Sequence, residues 1–111
     1  MERITINGIE YQRASTEGFR YCIVRCRDAG VHAGYVAERN GREVKLLKSR
    51  RLWRWHGRTL SGLAIEGTTD IGACKYAPEV PEIEVLDACE IIPCTEAGQK
   101  SIEQVPEWTN N

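Results

Sequence analysis

Long hydrophobic runs are missing from this chain. Its most apolar stretches, residues 60–65 and 85–92, are broken by polar residues within eight positions, whereas a helix needs ~20 apolar residues to cross a bilayer. A membrane-spanning helix is therefore excluded. Proline is scarce at four residues and glycine ordinary at ten, which excludes a Pro/Gly-rich disordered tail. The start, Met1-Glu2-Arg3-Ile4-Thr5, lacks the basic cluster and apolar run of a secretory signal, so the expectation is a cytosolic protein. Histidine is limited to His32 and His56. No nucleophile elbow, Walker loop, dinucleotide fingerprint or His-Glu-x-x-His motif occurs, leaving no recognised catalytic constellation.

What is present is the profile of one domain spanning residues 1–111, 41% hydrophobic and 28% charged. A chain of this size buries somewhat over ~60% of its unfolded surface, enough for one core but not for a deep enclosed active site as well. Oligomerisation would enlarge a pocket. The five cysteines, Cys22, Cys26, Cys74, Cys89 and Cys94, are an odd number, and in a reducing compartment they read as free, mostly buried thiols. Cys22/Cys26 and Cys89/Cys94 have near-ligand spacing but lie inside apparent strands, where the knuckle turn of a zinc site is not expected. No metal and no cofactor is expected.

The net charge of −1 conceals a dipole along the chain. Residues 1–60 hold thirteen Lys/Arg and six Asp/Glu; residues 61–111 hold two and ten. The halves either expose a basic surface to phosphate-bearing ligands or neutralise each other within the fold or across a subunit interface. Basic residues are densest over 39–58, with eight Lys/Arg, one acid, Trp53 and Trp55. A guanidinium fork matches phosphate oxygens and an indole face stacks on a base. A strand with a solvated basic face and tryptophans in the core explains the same pattern.

The pattern of elements predicts an α+β fold: an N-terminal antiparallel β-meander, a short middle helix, a late strand and a C-terminal helix. Asn7-Gly8 and Asn40-Gly41 are hairpin signals. Residues 19–27 read as a strand with Tyr21, Ile23, Arg25 and Arg27 on one face and Cys22, Val24 and Cys26 on the other. Gly30 and Gly34 bracket His32 in a turn, a bulge or a ligand-facing loop. On the next strand Arg51, Trp53 and Trp55 share one face, Arg50, Leu52, Arg54 and His56 the other. Leu60, Leu63 and Ala64 at helical spacing before Gly67 predict a short helix. Residues 82–92 read as one strand, bulged near Asp87 and stopped by Pro93. Thr95 caps a last helix running to about Val105, and Trp108 anchors the tail. The strand-rich basic half, 1–58, thus precedes an acidic helix/strand/helix half, 59–111. Ligand-facing candidates from the residues alone are Arg25, Arg27, Arg50 and Arg51 as a phosphate clamp, with Trp53 or Tyr76 as the stacking surface. His32 is a base candidate or a hydrogen-bonded turn histidine.

The segments Ala29-Gly30-Val31-His32-Ala33-Gly34-Tyr35, Gly41-Arg42-Glu43-Val44, Arg50-Arg51-Leu52-Trp53-Arg54-Trp55 and Ala88-Cys89-Glu90-Ile91-Ile92-Pro93-Cys94-Thr95-Glu96 resemble small phage and prophage proteins, among them the first type of Thoeris anti-defence sponge. The resemblance runs from about Tyr21 to Trp108. It implies a non-enzymatic phage protein in the host cytoplasm that sequesters cyclic ADP-ribose isomers, and that in some members holds cyclic oligonucleotides at a second site. It further implies a homo-oligomer, dimers building to hexamers, with ligand sites between subunits. Arg51 and Tyr76 match the family's ligand-contacting arginine and aromatic. A polar partner in the last strand falls at Asp87, an acid where a phosphate-facing group is expected. Two other functions fit the charge pattern: an acidic mimic that inhibits a host or CRISPR nuclease, and a small nucleic-acid-binding regulator, for which the near-neutral net charge is poorly suited.

Overall fold

A computed structural model describes residues 3–6 and 9–12 as strands and the whole of residues 16–108. The fold is α+β, with the antiparallel meander first, a helix in mid-chain and another near the end. Strands β1 (Arg3–Ile6) and β2 (Ile9–Gln12) pair with each other as a separate two-stranded sheet. The Asn7-Gly8 turn lies outside the described residues.

The main sheet comprises β3 (Arg20–Cys26), β4 (Val31–Asn40), β5 (Glu43–Arg54), β6 (Lys75–Tyr76), β7 (Val80–Val85) and β8 (Ala88–Pro93). All pairings are antiparallel. β8 lies beside β3, then come β4 and β5, and β6 and β7 both pair with the far side of β5. The predicted single strand over 82–92 is thus two strands at opposite edges of the sheet, broken at Leu86-Asp87. That break dictates the shape. Three Cα steps of ~3.8 Å join Val85 to Ala88, at most ~11 Å, while four strand spacings of ~4.8 Å would hold the edges of a flat sheet ~19 Å apart. The sheet must curl into a half-open barrel. Two register shifts between β4 and β5 and a positive φ at Lys48 supply the bends.

Of the turn, bulge or loop expected around Gly34, the structure has the bulge: Gly34 sits inside β4 at the register shift between Ala33 and Tyr35, where a Cβ would lie 2.9 Å from the Ser49 Cα. It is glycine because the bulged part of β5 crosses it closely. The second hairpin also shifts by one residue: Asn40 pairs with Glu43, so the turn is Gly41-Arg42, with Gly41 at φ 63° as a II′ turn requires.

Two helices cover one face of the sheet. Helix α1 (Leu60–Glu66) starts where the Thr59 hydroxyl accepts from the Gly62 N–H at 3.1 Å and ends at Gly67. Helix α2 (Glu96–Gln104) starts the same way at Thr95 and Gly98. The helices meet at Gly98, where an added Cβ would stand 2.0 Å from the Ala64 carbonyl oxygen. Under them lies a core that includes Tyr21, Ile23, Ala33, Leu52, Leu63, Tyr76 and Ile102. A second core, with Cys22, Val24, Leu46, Val85 and Ala88, fills the inside of the curl. No described helix is long and apolar enough to cross a membrane.

Candidate functional site

Directly paired residues of antiparallel strands project to the same side of a sheet, and alternate residues of one strand do likewise. His32 pairs with Arg51, so the two share the inner face of the curl. Beyond the bulge at Lys48, Ser49, Arg51 and Trp53 follow along β5 on that face. The segment between β6 and β7 supplies the opposite wall. The result is a cleft of ≈ 240 Å³ with His32, Ser49, Arg51 and Trp53 on one side and Ala77, Pro78, Val80 and Ile83 on the other.

Two polar groups are built into the wall of this cleft. Ser49 is 1% exposed and its Oγ has no hydrogen-bond partner among the described residues. A buried hydroxyl left unpaired costs ~1–3 kcal/mol. His32 is equally buried, and its Nε2 lies 2.9 Å from the Ala29 carbonyl. A carbonyl only accepts, so Nε2 carries the proton and Nδ1 of the neutral ring is an acceptor. Burial lowers the His32 pKa below 6.5, the Ala29 hydrogen bond opposes that, and the nearby Arg51 charge reinforces it.

Asp87 holds this corner from the other side. Its carboxylate accepts from the backbone N–H groups of Asp28 and, at 3.1 Å, Ala29. These bonds, Asp28 foremost, keep its pKa below the ordinary carboxylate value. Asp87 therefore clamps the β3–β4 loop that orients His32, a structural role in place of the ligand contact expected of it. Cys26 adjoins the same corner, and burial, with the Asp87 charge second, pushes its thiol up to about 11. Cysteine, histidine and aspartate thus meet here, with burial and the Asp87 charge favouring the protonated thiol over the thiolate.

The other candidates separate. Arg50 is 6% exposed and points under the helices: Nε donates to Ala77 O at 2.9 Å, and Nη1 donates to Ile102 O at 3.0 Å and Val105 O at 2.6 Å. It caps the C-terminal carbonyls of α2 rather than clamping a phosphate in the cleft. Tyr76 is fully buried beneath that guanidinium, 5.3 Å away, and presents no stacking face. Arg25 pairs with Val31 rather than His32 and so emerges on the opposite face from Arg51, ion-paired with Glu90 at 3.0 Å. Arg27 is exposed just past β3, its N–H donated to Asp87 O.

Trp53 is half exposed at the mouth of the cleft, edge-on to Trp108 with ring centroids 5.5 Å apart. Lys75 Nζ stands 4.9 Å from the Trp108 ring centroid. The period-2 alternation that aligns Arg51 with Trp53 extends back to Ser49, so Ser49 was within reach of sequence reasoning. The apolar wall was not, because it arrives from residues 77–83 through the curl. Among the described residues, three ion pairs join the two charge halves, Arg25–Glu90, Lys45–Glu82 and Arg58–Glu66. Arg51, Arg54, Arg39 and Arg42 have no acidic partner within ion-pair range among the described residues, so neutralisation between the halves is only partial.

The model of a domain family of unknown function, DUF6948, matches residues 19–102. The chain belongs to that family. The DUF6948 segment contains the whole cleft and excludes Trp108 and the N-terminal strands. No curated protein matches the chain, and no solved structure does.

Proposed function

We propose that this DUF6948 chain is a binding protein that sequesters a phosphate-bearing cyclic nucleotide, of the cyclic ADP-ribose type, without converting it, as its resemblance to the Thoeris anti-defence sponges implies. The observation that carries the reading is the Ser49 hydroxyl in the cleft wall, without a hydrogen-bond partner among the described residues, beside Arg51, which has no acidic partner among them. Ser49 and Arg51 both donate to phosphate oxygens, His32 Nδ1 accepts from a ribose hydroxyl, and Trp53 stacks on the base. At ≈ 240 Å³ the cleft is smaller than the ~300–1,000 Å³ of pockets that enclose a whole small ligand. It takes the phosphate–ribose portion and leaves the base at the mouth, where Trp53 stands. The raised Cys26 pKa and the commitment of His32 Nε2 and Asp87 to backbone groups support binding over catalysis.

Calorimetric titration with cyclic ADP-ribose isomers and with ADP-ribose, followed by heat release and mass analysis of the ligand, tests this. Binding with intact ligand recovered, lost in Arg51→Ala and weakened about tenfold in Ser49→Ala, is the expected result. No heat with any nucleotide, or a recovered ligand of altered mass, would overturn the proposal.

A further inference from the structure

We propose that the open edge of β8, where it faces the tip of the β4–β5 hairpin, binds a short acidic stretch of extended polypeptide as an added strand. β8 pairs with β3 alone among the described strands. Cys94 donates its N–H to Tyr21 O at 2.9 Å, which sets the alternation of the ladder. Glu90 and Ile92, four and two residues earlier, then direct their backbone groups to β3, and Ile91 and Pro93 direct theirs outward. Pro93, which has no N–H, occupies an outward position where β3 needs none. The Ile91 N–H and C=O and the Pro93 C=O are thus offered to an incoming chain.

Across from that edge the hairpin tip forms a groove of ≈ 500 Å³ lined by Arg39, Gly41, Arg42, Cys89, Glu90 and Ile91, together with Ala88. The tip is tied in place, because Arg42 O accepts the Ala88 N–H at 3.0 Å. Arg39 Nε donates to Gly41 O at 2.9 Å, which orients its guanidinium and leaves both terminal nitrogens available. Neither arginine has an acid within ion-pair range among the described residues, and Glu90, the groove's own acid, is taken by Arg25. Main-chain pairing supplies affinity in strand addition and alternate side chains supply selectivity. Here the selectivity is for acids. The ladder is short, since Pro93 ends it on one side and the register shift at Arg25/Cys26 on the other, so three to four residues of partner fit. The outward main-chain groups favour a peptide over a free phosphate, which would engage the arginines alone.

The test uses the full chain and a fluorescein-labelled acetyl-Ile-Glu-Ile-Glu-Ile-amide followed by polarisation, with the Lys-for-Glu peptide as control. The acidic peptide is expected to bind, the basic one not. Arg39→Ala with Arg42→Ala should weaken binding at least tenfold, while Arg51→Ala in the nucleotide cleft leaves it unchanged. N-methylation of the peptide's central residue should weaken binding as strongly, and the Ile91 amide should move in a nitrogen–proton correlation spectrum. No binding at millimolar peptide, or binding indifferent to N-methylation with an unmoved Ile91 amide, would overturn the proposal, the latter showing charge attraction without strand addition. The peptide modifications leave the protein untouched, so their outcome does not depend on whether a variant folds.

Discussion

Arg50 and Arg51 are chain neighbours with opposite fates. Arg50 faces the helices, is removed from water and answers three backbone carbonyls. Arg51 faces the inside of the curl, is exposed and has no acidic partner among the described residues. The helix-covered face of the sheet is closed: close contact at Gly98, a fully buried Tyr76, and an arginine used as a structural cap. The inner face is packed at one end by the second core and open at the other, where Ser49 and His32 line the cleft. The same residue type thus caps backbone carbonyls on one face and is left without an acidic partner among the described residues on the other. Strand parity alone separates the two.

The largest effect that would break this contrast is on the closed face. Gly98→Val places a side chain into the Ala64 carbonyl and is expected to cost more than ~3 kcal/mol out of the ~5–15 typical of a domain, seen as a collapse of the urea midpoint. Next comes the arginine pair. Arg50→Ala strands the α2 carbonyls and should lose ~2–4 kcal/mol, with Arg50→Lys recovering only part, because an ammonium cannot span all three acceptors. Arg51→Ala should change stability by less than ~0.5 kcal/mol, as exposed substitutions do. Equal losses from the two alanines in denaturant melts would erase the distinction between the faces.

Ser49→Ala sharpens the comparison by sign. Removing an unpaired buried hydroxyl should stabilise the free protein by ~0.5–1 kcal/mol while weakening nucleotide binding. A loss of stability would mean that Ser49 has a structural partner.

The smallest expected effect is a pH dependence. The folded-state pKa of His32 lies below its unfolded value, so between the two the unfolded chain binds the extra proton and stability falls as pH drops below ~6.5. His32→Gln, which keeps a donor for Ala29 O but cannot titrate, should flatten the melting-temperature slope between pH 7.5 and 5.5. An unchanged slope would locate the titration elsewhere.

Much of the architecture was legible because local rules carry it. Leu60, Leu63 and Ala64 at helical spacing before Gly67 mark the first helix, and Thr95 marks the second, since a threonine hydroxyl and a following amide meet within one turn. Arg51 and Trp53 share a face because strand periodicity is two, but Trp55, expected beside them, lies past the end of β5 and packs against the core under the helices. The single strand expected over 82–92 failed where local alternation is silent: nothing in the Val85-to-Ala88 pattern says that the halves pair with β5 and β3 separately. Tyr76 and Arg50 looked like a stacking ring and a phosphate clamp because composition cannot tell a buried cation–aromatic contact from an exposed one.

By itself, then, the sequence determined the α+β class, the helix caps, the hairpin signal at Asn40-Gly41 and the alternation that sets Arg50 against Arg51, all consequences of interactions between residues a few positions apart. Tertiary structure decided the curl, the wall that 77–83 brings to the cleft, and which arginine is buried. Those depend on where the helices pack and on a two-residue link spanning the sheet's two edges, contacts between residues far apart in the chain that no short-range pattern encodes.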